Sequence, residues 1–169
     1  MKVSVITLHR VRNYGSSLQT LATQSLLEMY GADVEIIDYY PERYTSLGLL
    51  KRLKHKSSKL EKNIILLTGA RMIMCLSYAK KKFVFDSFLK KYIKLSPETY
   101  RTPQEIKKYP LKSDAYCTGS DQVWNSHWNE GIDTPFYLDF VPKSEYKFSF
   151  ASSIGSDSLN DKEKKAVKK

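Results

Sequence analysis

The sequence predicts an α/β fold, a Rossmann-like parallel sheet with a helical insertion. Three observations carry that expectation. The first 38 residues run strand, glycine-bearing loop, amphipathic helix, glycine, strand, which is a βαβ unit whose crossover suits a parallel pair. A long stretch without strand signal follows, covering residues 47–95. Strand-like segments then resume at 114–119 and 146–152, each ending in a small, polar loop.

Taken in order, Lys2 to Leu8 alternates and is rich in β-branched residues, the pattern of a strand. His9 to Gly15 is a polar loop. From Ser16 the period changes to that of a helix, with Leu18, Leu21, Ala22, Leu26 and Met29 on the stripe expected to face the sheet, and Gly31 at the C-cap position. Residues 33–38 form the second strand. Leu47, Leu49, Leu50 and Leu53 open a basic helical segment that Ser57-Ser58 interrupts. Ile64 to Tyr78 and Lys80 to Ile93 read as one or two further helices. Thr102-Pro103-Gln104-Glu105 is a capping box with Pro at the first helical position. Phe136 to Phe140 reads as a short strand stopped by Pro142. Asn160-Asp161 offers an N-cap, and Lys162 to Lys169 opens a helix that carries only Ala166 and Val167 as apolar residues. On that ground the expectation is one lobe over 1–169, with a basic, all-helical insertion at about 43–112, and the chain as the N-terminal half of something larger.

Composition narrows the function classes. Leu, Ile, Val and Phe make up 43 of 169 residues, enough to bury a core. Cys75 and Cys117 lie far apart with no C-x-x-C pair, and the three histidines are scattered, so neither a zinc framework nor a disulfide scaffold is expected, and no metal site. The N-terminus has no signal-peptide pattern, and the most apolar window, Ile64 to Leu76, is broken by Thr68, Gly69 and Arg71. The expected location is cytoplasmic, with room for peripheral contact at the inner face of the membrane. The net charge of +10 is uneven: residues 43–112 hold 18 Lys and Arg against four acidic residues. Nucleic acid, an anionic membrane or a phosphorylated substrate would each suit such a segment, and so would a plainly solvated helical face.

Ligands of an open parallel sheet gather beyond the carboxyl ends of its strands. Three polar loops take that position: His9 to Gly15, Gly119 to Asn125, and Ser152 to Ser156. The first precedes a helix N-terminus, where free N–H groups favour an anion, but it has one glycine and no G-x-G-x-x-G. Asn13, Tyr14, Gly15 and Gln19 are its candidate binding residues, against the reading that Asn13 to Gly15 is only turn chemistry. The second loop, Gly119-Ser120-Asp121-Gln122-Val123-Trp124-Asn125, sets a carboxylate, two amides, a hydroxyl and an indole within seven residues. Asp121 can orient or deprotonate a hydroxyl and Trp124 can stack on a sugar face, with Gly119, Ser120, Gln122 and Asn125 as further contacts. Against this, Ser120 or Asp121 can be an N-cap and Trp124 a core anchor. His9 is a candidate acid, base or binding group, although a lone His is more often structural. Ser152 and Ser153 complete the set from the third loop.

Thr7-Leu8-His9-Arg10 followed by Asn13-Tyr14-Gly15-Ser16 and Leu18-Gln19 resembles the opening of the polysaccharide pyruvyl transferase family. So do Gly119 to Asn125, Tyr137-Leu138-Asp139-Phe140-Val141 and Ser149 to Gly155, in the family's order. The resemblance implies two Rossmann-like lobes around a cleft, as in GT-B-like glycosyltransferases, and this chain would be the first. It further implies transfer of pyruvyl from phosphoenolpyruvate, a donor substrate rather than a cofactor, onto two hydroxyls of a cell-surface polysaccharide or a lipid-linked oligosaccharide acceptor. The family's donor-binding arginines and histidine are expected largely in the second lobe, so the chain alone is expected to be inactive, or to depend on another chain for that lobe. A nucleotide-sugar glycosyltransferase lobe is the alternative enzyme. A non-catalytic basic module for nucleic acid or anionic membrane is the other alternative, but the motif-dense loops lie outside the basic segment, so nucleic acid is not expected.

Overall fold

Five strands lie side by side in the order β3-β2-β1-β4-β5, every pair parallel. They are β1 (Lys2–Ile6), β2 (Asp33–Tyr39), β3 (Leu95–Tyr100), β4 (Ala115–Thr118) and β5 (Tyr146–Ser149) in this computed structural model. Residues 1–45 and 64–167 are described; the helical segment expected from Leu47 to Leu53, and its break at Ser57-Ser58, lie outside them. Among the described residues four α-helices accompany the sheet: α1 (Tyr14–Met29), α2 (Ile64–Tyr92), α3 (Pro103–Lys108) and α4 (Asp161–Val167).

The central strands read as continuous apolar runs because both faces are covered. On one face Val3, Val5, Val34, Ile36, Ala115 and Cys117 pack against Leu89 of α2 and Ile93 just after it. On the other Ile6, Ile37, Tyr39 and Tyr116 pack against Ile106 of α3 and against Phe136, Leu138 and Phe140. Alternate residues of β1 and β4 thus serve opposite layers, as the period of a strand requires.

Three expectations need correction. The stretch 43–112 is not wholly helical, since Leu95–Tyr100 forms β3 at the sheet edge. Its signal was weak because Pro97 interrupts it and only Ser96 and Tyr100 are buried, which an edge strand tolerates. Residues 64–92 form a single helix, one of the two arrangements expected there. Phe136–Phe140 is no strand: Thr134–Tyr137 is a 3-10 turn, and Leu138 has φ 54°. The face of α1 turned inward is also not the apolar stripe: Ser16, Ser17, Thr20, Thr23 and Gln24 are buried, while Leu18 and Met29 are 58% and 83% exposed. The buried hydroxyls of Thr20 and Thr23 donate to the carbonyls of Ser16 and Gln19, each at 2.8 Å. Gln24 accepts from Lys94 N at 2.9 Å and donates to the carbonyl of Tyr92. Threonine hydroxyls that bond back to their own helix can be buried at little cost, so polarity pattern alone misassigned the face.

Candidate functional site

The chain leaves β1 towards β2 and β3 on one side, then returns to β4 and β5 on the other. The reversal falls between β1 and β4, and the crevice outside their carboxyl ends is where open α/β sheets bind ligands. The loops after β1, β4 and β5 meet there. Thr7 Oγ1 donates to Ser120 O at 2.8 Å, and Gly119 N donates to Ile6 O at 2.8 Å. A Cβ on Gly119 would lie 3.0 Å from Val5 Cγ1 and 3.1 Å from Thr7 Cβ, so glycine lets the end of β4 lie against β1. Asp121 bridges to Ser152 in parallel, Ser153 N donates to Asp121 O at 3.0 Å, and Trp124 N donates to Ser153 O at 3.1 Å.

Asp121 stands at the centre of this junction. Its φ is 97°, a left-handed conformation that costs a non-glycine residue on the order of 1–3 kcal/mol. Its carboxylate accepts from Ser16 Oγ at 2.7 Å across the crevice and from Gln122 N at 2.7 Å. Ser16, the residue after Gly15 in the N-Y-G-S string, was not among the expected site residues. Its signal was its place in the first turn of α1, facing back over the strand ends. The side chain of Asp121 is half-buried, so its remaining lone pairs can still be reached from solvent.

The other expected residues divide into an open group and a structural group. Asn13 caps α1, its Oδ1 accepting from Gly15 N at 2.8 Å; Tyr14, Gly15 and Gln19 are exposed beside it. The Tyr14 ring lies 5.1 Å from that of Phe85 on α2. Gln122 and Ser153 are exposed, and Ser120 is half-buried. Ser152 is engaged, its hydroxyl facing the carbonyls of Thr118 and Gly119 at 2.9 Å each. Asn125 is buried; it donates to Gln122 Oε1 and its own Oδ1 accepts from the N–H groups of His127 and Trp128. Trp124 anchors the loop, donating from Nε1 to Phe136 O at 2.8 Å with its ring stacked 5.8 Å from Tyr137. Gly155 has φ 63°, and a Cβ there would collide with Gln122 Oε1 and Asn125 Nδ2, so the third loop closes tightly on the second.

His9 is 1% exposed and does not open into the crevice. Its ring nitrogens face two acceptors, Asp38 Oδ1 at 3.0 Å and Thr7 O at 3.2 Å. Arg10 donates from Nε to Asp38 at 2.6 Å, and Thr99 donates to it at 2.6 Å. Burial alone would raise the pKa of Asp38, but the hydrogen bonds from His9, Arg10 and Thr99 hold its carboxyl well below the usual carboxylate range. This network fastens the β1–α1 loop to β2 and β3. Arg12 is likewise engaged, bonding Tyr78 Oη and, at 3.0 Å, Tyr40 Oη. Among the described residues no group of three or more His, Cys, Asp or Glu side chains could hold a metal ion, and no helix is long and apolar enough to cross a membrane.

A family model described as polysaccharide pyruvyl transferase matches residues 13–169, from the cap of α1 onward. The chain belongs to the polysaccharide pyruvyl transferase family. The family's name is that of a transferase, and the junction of the N-Y-G and G-S-D-Q-V-W-N loops at the strand reversal is the candidate site. No curated protein and no solved structure matches the chain.

Proposed function

We propose that this chain is the acceptor-side lobe of an enzyme that moves pyruvyl from phosphoenolpyruvate onto two hydroxyls of a sugar, as a cyclic ketal, in cell-surface polysaccharide biosynthesis. The observation that carries the reading is the carboxylate of Asp121, held in a strained backbone and aimed across the β1–β4 crevice by Ser16. In the ketal reaction one hydroxyl adds to the enol carbon of the donor while its methylene takes up a proton. The second hydroxyl then displaces inorganic phosphate at the same carbon. Each hydroxyl must give up a proton, and Asp121 is the group we assign to orient the acceptor and receive one of them. Ser120, Gln122 and Gln19 flank it as hydrogen-bonding contacts for the sugar, and Asn13 with Gly15 shapes the opposite wall.

The donor's phosphate and carboxylate need cations that are free to meet them. The two arginines of the β1–α1 loop are committed elsewhere, Arg10 to Asp38 and Arg12 to Tyr40 and Tyr78. This supports donor binding by groups outside these loops, in the second lobe that the family resemblance implies. We place the reaction in the cytoplasm, where phosphoenolpyruvate is made, with a sugar or lipid-linked oligosaccharide as acceptor.

The test is a transfer assay on an enzyme carrying this lobe, with labelled phosphoenolpyruvate and, separately, labelled nucleotide sugars. The expected result is label on the acceptor from phosphoenolpyruvate with stoichiometric release of inorganic phosphate. Transfer from a nucleotide sugar and none from phosphoenolpyruvate would instead make this a glycosyltransferase lobe.

A further inference from the structure

The half of α2 that packs on the sheet has a second face. Phe85 and Leu89 are 6% and 2% exposed and point into the molecule. At helical spacing on the opposite side stand Leu76, Lys80, Phe83 and Lys90, with Lys91 next to them. Leu76 and Phe83 are 71% and 74% exposed, an unusual position for a large apolar and an aromatic side chain one heptad apart. The lysines are exposed as well, and the acid of this stretch, Asp86, is neutralised by Lys82 at 2.7 Å.

We propose that this outward stripe of α2 docks on an anionic lipid surface, with the helix lying in the headgroup plane. Phe83 and Leu76 would enter the boundary of the acyl chains while the lysines meet lipid phosphates, their methylene stems covering apolar surface. Charge complementarity selects this occupant over a protein partner: protein interfaces are depleted in Lys at their centre, whereas here lysines surround the apolar pair. The sequence around the stripe adds to the attraction, since residues 43–112 carry 18 Lys and Arg against four acids. The location suits such a role. Tyr78 of α2 bonds Arg12, and Phe85 packs on Tyr14, so this helix stands beside the loop that forms one wall of the crevice. The proposal goes beyond the acceptor reading and does not depend on it, because docking needs neither donor nor sugar.

The experiment is sedimentation of the purified chain with vesicles, either of phosphatidylcholine alone or of phosphatidylglycerol and phosphatidylcholine in equal parts. Binding is expected only to the anionic vesicles, and is expected to fall as salt rises. Lys80→Glu combined with Lys91→Glu should weaken it at least about tenfold, since each lysine near such a surface is worth about fivefold. Phe83→Ser should weaken it about tenfold through lost apolar burial. Lys143→Glu, on an exposed turn away from α2, should change it far less. An unchanged thermal transition by circular dichroism identifies each variant as folded; if the double variant unfolds, Phe83→Ser decides alone. No binding to anionic vesicles at low salt, or equal binding by the folded variants, would overturn the proposal. So would light scattering that shows the chain self-associating through this face, with Phe83→Ser restoring the monomer, for the stripe would then be covered by a second copy.

Discussion

Asp38 shows how one carboxylate can decide whether a binding loop holds its shape. It is 3% exposed and gathers His9 and Arg10 from the β1–α1 loop and Thr99 from β3. Replacing it with Asn leaves an arginine without its counter-charge, so Asp38→Asn should cost about 3–5 kcal/mol, read as a shifted urea midpoint at about pH 7. The pH dependence follows from the sign of the shift. The folded pKa lies below the unfolded one, so the stabilisation is complete above the unfolded value near 4 and is lost as the pH falls further towards the folded value. The gap between wild type and variant should therefore narrow between about pH 4 and pH 2; a gap that stays constant would show that Asp38 acts by packing alone. The His9-Arg10 pair was visible in the sequence, but its partner was not, because the contact spans 28 and 29 residues and no local pattern announces it. The same distance hid the Ser16–Asp121 bond, although both residues sat in strings that stood out on reading.

Among the elements, α1 and α2 use their faces in different ways. Alternating and β-branched runs located β1, β2, β4 and β5, of which β1, β2 and β4 are well buried and β5 is an exposed edge strand. The edge strand β3 escaped, having Pro97 and three exposed positions in six residues. On α1 the fully buried side is hydroxyl-rich, Leu18 and Met29 look outward and only Leu21 and Leu27 pack on the core, so the helical period was legible and its facing was not. On α2 the two faces make opposite predictions. Leu89→Ala should cost about 2–5 kcal/mol, because it opens a cavity against the sheet. Phe83→Ala should stay within about 0.5 kcal/mol of wild type, since nothing in the fold depends on an exposed ring. Both are measured by urea denaturation, and a comparable loss from Phe83→Ala would mean that the outward face is part of the fold's own packing.

Over the whole molecule, topology turns scattered loop motifs into one place. The strand order puts β1 next to β4, so residues more than a hundred positions apart share the crevice where the chain reverses. The meeting of the three loops follows from parallel strands ending on the same edge, which is why their polar composition could be read as a rim before any contact was known. What composition could not separate was the open part of that rim from its scaffolding: Trp124, Asn125, Ser152 and His9 carry polar groups as conspicuous as those of Asp121, yet each is committed to neighbours. Asp121 keeps an accessible carboxylate at a backbone conformation that folding alone would avoid. The most direct measurement is therefore the turnover of Asp121→Asn in pyruvyl transfer from phosphoenolpyruvate by an enzyme that carries this lobe, alongside its thermal transition. The account predicts a fall in kcat of at least about a hundredfold, the scale of a lost general base, in a protein that still folds. Unchanged turnover in a well-folded variant would contradict it and reduce Asp121 to a loop fastener between β4 and α1.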